Sequence, residues 1–192
     1  MPDVTTLYLV RHAESAPDFS LAEADWPLSP NGTTQARRLA TNLSKLGATR
    51  LIASPYRRAV DTFEPCSRRT GLPIYVEADL RERRLRDGYI ENWDEFMRGL
   101  WADPDAHMPN CESGTQCRMR VTNCLTQIAE DLAGETLLIC SHGNAIALFL
   151  SGIDASFGYE GWKLMRNADV FRVRRIERRW QWDRAHVLGA KR

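Results

Sequence analysis

Short apolar runs alternate along this chain with longer stretches whose apolar residues recur every three or four positions. That is the pattern of strands alternating with amphipathic helices. Leu7–Val10, Arg50–Ala53, Ile74–Val76 and Thr136–Cys140 read as short buried strands. Between the first two, Ala36, Leu39, Ala40, Leu43 and Leu46 share one helical face, with Ser29 as N-cap, Pro30 at the first helical position and Gly47 as the stop. A second helix is expected to start at Ser54-Pro55 and run toward Gly71-Leu72-Pro73. A long third one opens at Glu112-Ser113-Gly114, carries Cys117, Val121, Cys124, Leu125, Ile128 and Leu132 on an apolar stripe, and ends at Gly134. Shorter helices are expected at Trp93–Trp101, Ala145–Leu150 and Phe157–Met165. Asp169–Ile176 and Arg179–Asp183 read as a hairpin around a tight polar turn. The alternation predicts an α/β fold, a three-layer α/β/α sandwich on a mostly parallel sheet with an antiparallel edge hairpin. The irregular segment of about 77–112 is expected to lie as a small cap over the carboxyl edge of that sheet.

Polar clusters follow three of the strands: Arg11-His12, Ser54-Pro55 leading to Arg58, and Ser141-His142. In open α/β sheets ligands bind just outside the carboxyl ends of the strands, so two arginines and two histidines can converge there. A guanidinium offers a planar fork to phosphate oxygens, and a neutral imidazole nitrogen can attack phosphorus. Taken singly, each cluster has a plainer reading: a strand ending in solvated polar residues, or two arginines on an exposed first helical turn. Their joint occurrence after strands favours a phosphate site.

Composition narrows the class without choosing the chemistry. With 192 residues, 43% of them hydrophobic, the chain is long enough to build one domain with a real core, expected over 1–192. A formal net charge of +1 gives no argument for nucleic acid. The Arg-rich, tryptophan-bearing C-terminal hairpin is instead read as a protected edge. No apolar run approaches the roughly 18 residues of a membrane span. Five cysteines, odd in number and without Cys-x-x-Cys spacing, read as free thiols in a reducing cytoplasm. Cys117, Cys124 and Cys140 are expected as small core residues. His107 and His186 have no partners at metal-ligand spacing.

Six pieces together carry a family resemblance: LYLVRHAES (Leu7–Ser15), LSPNGTTQA (Leu28–Ala36), SPYRRAVDT (Ser54–Thr62), LRERR (Leu80–Arg84), CESG (Cys111–Gly114) and CSHGNAI (Cys140–Ile146). In this order and spacing the chain resembles the histidine phosphatase superfamily, the phosphoglycerate-mutase-like fold. The resemblance implies that His12 is the nucleophile that takes the phosphoryl group. It implies that Arg11 and Arg58 hold the phosphate oxygens, that His142 stabilises the transferring group from the opposite side, and that Glu82 is the general acid. Ser15 and the backbone near Gly143-Asn144 are further phosphate contacts on the same footing. No metal and no cofactor are implied. Ala13 stands where the family usually has glycine, and Asp18 stands near a place that often holds asparagine. An acid facing the site would repel a phosphate dianion, so Asp18 is given no role.

The residue types fit the chemistry by themselves. Two permanently charged guanidiniums can neutralise a phosphomonoester carrying about −1.5 to −2 charges and align it with an imidazole. They also disfavour the imidazolium, leaving one nitrogen of His12 free; its other nitrogen needs an acceptor that the sequence does not identify. A carboxyl beside a dianion is expected to hold a proton for the leaving alkoxide and then to activate water. The expected activity is therefore metal-independent hydrolysis of a small-molecule phosphomonoester through a phosphohistidine, with no nucleic acid or membrane as partner and with oligomeric state open. A phosphoglycerate-type mutase is the alternative, and a non-catalytic phosphate-binding module a more distant one. The short cap favours hydrolysis, since the family's mutases resemble longer chains. Specificity is expected in the cap, among Arg83, Arg86, Tyr89, Trp93 and Trp101, with the aromatics reading equally as cap core.

Overall fold

A computed structural model of the chain describes residues 4–85 and 90–185. Arg86, the Asp87–Tyr89 stretch and His186 therefore lie outside the described residues. The elements run β1 (Thr5–Arg11), α1 (Pro30–Leu43), β2 (Arg50–Ala53), α2 (Arg57–Thr70), β3 (Ile74–Val76), α3 (Trp93–Ala102), α4 (Gly114–Asp131), β4 (Thr136–Ser141), α5 (Gly143–Ile153), α6 (Tyr159–Lys163), β5 (Val170–Ile176) and β6 (Arg179–Arg184). Single 3-10 turns cover Glu23–Asp25 and Ala78–Leu80. Among the described residues no helix is long and apolar enough to cross a membrane.

The strands form one six-stranded sheet in the order β3-β2-β4-β1-β5-β6. The β1–β4, β4–β2 and β2–β3 pairs are parallel. β5 runs antiparallel to β1 and to β6, which gives the expected edge hairpin. Side chains leave a strand on alternate faces, and the core divides accordingly. Leu7, Leu9, Leu137, Ile139, Phe171 and Val173 face α4 and α5. Val10, Leu51, Ala53, Leu138, Cys140 and Val170 face α1 and α2. Helices thus cover both faces of the sheet.

Helix starts follow side-chain chemistry in two cases and depart from it in a third. Ser29 Oγ accepts the Gly32 N–H at 2.9 Å, as expected at the start of α1. Ser113 and Gln116 form a reciprocal capping box on α4. The Ser54-Pro55 start is corrected. α2 begins at Arg57 with Tyr56 as its N-cap residue and no side-chain cap of its own; the Ser54 hydroxyl lies outside the helix, 2.7 Å from His142 and accepting the Tyr56 N–H at 3.3 Å. α5 is longer than expected in both directions, opening at Gly143 directly behind His142 and running to Ile153. On the hairpin, Trp180 meets Phe149 edge-on at 5.4 Å and Trp182 meets Phe157 edge-on at 5.2 Å. The two alternate residues therefore both pack on the α4/α5 face, and the Glu177-Arg178 turn takes positive φ at both positions, the hand that matches strand twist.

Candidate active site

β1 and β4 end level with one another, with Arg11 opposite Ser141. The next residue extends the pairing, since the His12 N–H donates to the Ser141 carbonyl at 2.9 Å. The His12 ring is held in a defined tautomer. Its Nδ1 lies 2.7 Å from the Ala13 carbonyl oxygen. A carbonyl only accepts, so Nδ1 carries the proton, and the lone pair on Nε2 accepts from Arg58 Nε at 3.2 Å. The acceptor that the sequence left unnamed is thus the carbonyl of the next residue. Burial, and then the neighbouring Arg58 and Arg11 charges, outweigh the Ala13 bond and lower the His12 pKa to about 3. At neutral pH the ring is uncharged, with Nε2 unprotonated.

The loop that carries His12 is fixed from several sides. The Ala13 N–H donates to Thr62 Oγ1 at 2.9 Å, and the Thr62 hydroxyl donates to the Arg58 carbonyl at 2.6 Å, which ties the loop to α2. The Glu14 carboxylate accepts from Ser29 Oγ at 2.6 Å and from Asn31 Nδ2 at 2.8 Å, which ties it to α1. A side chain at Gly32 would place its Cβ 1.9 Å from the Glu14 carbonyl oxygen, so glycine is required there by close approach.

His142 faces His12 with ring centroids 5.1 Å apart, and Tyr56 meets it edge-on at 4.9 Å. Ser54 Oγ accepts the Tyr56 N–H at 3.3 Å and sits 2.7 Å from His142 Nε2. Burial, followed by His12 and the two arginines, holds the His142 pKa well below its ordinary value. His142 Nδ1, Arg11 Nε and Asn144 Oδ1 are buried without a hydrogen-bond partner among the described residues. Such atoms are costly and few in folded proteins, and three of the four found among the described residues gather here, the fourth being Trp101 Nε1.

Arg11 Nη1 donates to the Met165 carbonyl at 2.8 Å, and its guanidinium lies against Gly143 at the start of α5. Burial lowers its pKa from the ordinary arginine value. Arg58, 4% exposed, uses all three of its nitrogens: Nε on His12, Nη1 on the Glu23 carbonyl at 2.8 Å and Nη2 on Glu23 Oε1 at 3.0 Å. Its guanidinium also lies 4.7 Å over the Tyr56 ring. Glu82 closes the group. Its Oε1 accepts from the Ala145 N–H at 3.1 Å and the Arg83 N–H at 2.8 Å, and its Oε2 from the Asn144 N–H at 3.2 Å. It therefore occupies the amide donors at the positive start of α5.

The structure brings together His12, Arg11, Arg58, His142, Glu82 and Asn144. Ser15 sits on the same loop, but its contact is a main-chain bridge to Leu28, and its hydroxyl makes no hydrogen bond among the described residues. Asp18 is exposed and bonds Ser20. Two of the cap residues named for specificity are packed into the structure. Arg83 is buried, with Nε on the Glu112 carbonyl at 2.9 Å, and Trp101 packs on Trp162. Sequence reasoning missed Glu23 and Tyr56. Tyr56 stands inside the SPYRR motif and was within reach, whereas Glu23 lies in a loop with no pattern to mark it. Among the described residues no group of three or more His, Cys, Asp or Glu side chains is placed to hold a metal ion.

The parallel part of the sheet thus ends in two facing imidazoles and two guanidiniums, Arg58 buried and Arg11 half-buried. Residues 7–187 match the histidine phosphatase superfamily (branch 1), and the chain belongs to that family. It is 30% identical to a probable phosphoglycerate mutase GpmB of Escherichia coli, over 91% of this chain and 86% of that protein. The fold is similar to that of a phosphoglycerate mutase from Bacillus anthracis, with a TM-score of 0.81, 21% identity, and 96% of this chain and 93% of that one covered. It is also similar to a mycobacterial glucosyl-3-phosphoglycerate phosphatase, with a TM-score of 0.77, 22% identity, and 94% and 98% covered.

Proposed function

We propose that this protein is a metal-independent phosphomonoesterase that works on a small-molecule substrate through a phosphohistidine at His12. The observation that carries this reading is the unprotonated Nε2 of a buried, neutral His12, pinned by the Ala13 carbonyl and touching Arg58. The Nε2 lone pair attacks phosphorus while the bond from phosphorus to the ester oxygen breaks. Arg58 and Arg11 hold the non-bridging oxygens, and His142 stabilises the transferring group from the facing side. The Nδ1–H bond to Ala13 steadies the positive charge that the imidazole acquires.

Glu82 is the acid that protonates the departing oxygen and then the base that takes a proton from water. That water attacks the phosphohistidine, the P–N bond breaks, and neutral His12 returns. Glu82 begins with both oxygens on main-chain amides, so it must release them to reach the ester oxygen. The test is phosphate release from a broad panel of phosphomonoesters in the presence of chelator, for the wild type and for His12→Ala. Chelator-resistant release lost in the variant is expected; release that depends on added metal would contradict the proposal. A second reading is a phosphoglycerate mutase, favoured by the name of the Escherichia coli relative. It predicts interconversion of phosphoglycerates in place of net release of phosphate.

A further inference from the structure

The side-on edge of Arg58, formed by Nε and Nη2, is the fork that can grip two oxygens of one phosphoryl group. Its Nε is on His12 Nε2 at 3.2 Å, and its Nη2 is on Glu23 Oε1 at 3.0 Å. A phosphoryl group in line with His12 Nε2 enters between that nitrogen and the guanidinium. It takes both N–H groups, and the Glu23 carboxylate has to give up its bond. The second contact of Glu23, its carbonyl on Arg58 Nη1 at 2.8 Å, lies outside the fork and can stay.

The two halves of the ion pair are unequal. Arg58 is buried, whereas the Glu23 side chain is 56% exposed on a short 3-10 turn. A half-solvated carboxylate is held weakly, and a phosphate dianion with more charge and more acceptor oxygens displaces it. The carboxylate has no need to travel far. Once displaced it remains beside the bound phosphoryl group, because the Glu23 carbonyl stays on Arg58 Nη1. A second negative charge carried in on the leaving group would meet that freed carboxylate at close range.

We propose that Glu23 is a specificity-determining competitor: its carboxylate occupies the phosphate fork of Arg58 and, once displaced, selects against phosphoesters whose leaving group carries a negative charge. The assignment rests on the phosphate-site reading above and narrows the substrate to esters of neutral or cationic alcohols. It also separates this site from one suited to phosphoglycerates, which carry a carboxylate beside the phosphate.

The experiment is calorimetric binding to the intact chain of three probes that need no turnover: inorganic phosphate, methylphosphonate and phosphonoacetate. Wild type is compared with Glu23→Gln and Glu23→Ala. A half-exposed ion pair of up to about 1 kcal/mol corresponds to about fivefold in affinity. Both variants are expected to bind phosphate and methylphosphonate up to about fivefold more tightly, with a larger gain for the carboxylate-bearing phosphonoacetate. Unchanged or weaker phosphate binding would overturn the proposal, and weakening in Glu23→Ala alone would show that Glu23 orients Arg58. An equal gain for all three probes would overturn the selectivity. Because none of the probes is hydrolysed, these outcomes are independent of turnover. Shifted affinities in a protein that forms no phosphohistidine would refute the catalytic reading and leave the role of Glu23 standing.

Discussion

The carboxyl edge of the sheet and the hairpin at its side are built from similar residues to opposite ends. On the hairpin, Trp180 and Trp182 find aromatic partners on the α4/α5 face, and the exposed arginine Arg172 pairs with Asp183 at 2.7 Å. Polar and apolar surfaces there are each satisfied, and the outcome is stability. At the carboxyl edge, two histidines are buried in their neutral form and three buried polar atoms have no partner among the described residues. That arrangement costs stability and places reactive atoms where a phosphoryl group can meet them. The proposed function falls where the folding rules are least well obeyed.

Mutation can break the contrast from either side. The largest effect on chemistry is expected from His12→Ala, a loss in kcat of at least about 10⁴-fold, with thermal stability close to the wild type; steady-state kinetics and a melting curve check both halves. Arg58→Lys keeps a charge but loses the Nε/Nη2 fork, and a fall of about 10²- to 10³-fold in kcat/KM is expected. On the hairpin side, Trp182→Ala should destabilise by about 2 kcal/mol in denaturant titration and leave kcat unchanged at a temperature where the variant is folded. Gly32→Ala should cost both stability and activity. Its Cβ collides with the Glu14 carbonyl, so a loss of about 1–3 kcal/mol is expected together with reduced activity.

Proton linkage sharpens the same contrast. His12 has its pKa lowered to about 3 from an unfolded value near 6.5, and His142 shifts in the same direction. Between those pH values the unfolded chain binds a proton at His12 that the folded chain does not, and His142 adds to the effect in the same direction. Stability is therefore full above about pH 6.5 and falls as pH drops toward 3, by up to about 1.4 kcal/mol per pH unit for His12. Urea titrations of wild type and His12→Asn at pH 7 and pH 5 measure it, and the variant should lose less on acidification. An equal loss in both would contradict the assignment of a neutral, buried His12.

Much of this was legible in the residues. Strand alternation, the Ser29-Pro30 cap and the order of polar clusters after strands fix the layers and bring Arg11, His12, Arg58 and His142 to one edge, because parallel strands must end on the same side. Local rules fell short where a long-range partner shares the same atom. Ser54 looks like the N-cap of α2, but its hydroxyl reaches His142, 88 positions away in sequence, as well as the Tyr56 N–H. Glu23 carries no signal at all, since it matters only through a loop that folds back onto α2. The tautomer of His12 is set by a main-chain carbonyl, a group that every residue possesses and that no sequence pattern distinguishes.

The most direct measurement is a rapid alkaline quench during turnover of a good phosphomonoester, with chelator present, followed by peptide mass spectrometry. The account predicts a phosphoryl adduct on His12 that forms within the first turnover and decays with phosphate release, absent from His12→Ala. Turnover without an adduct, or with the adduct on another residue, would contradict it.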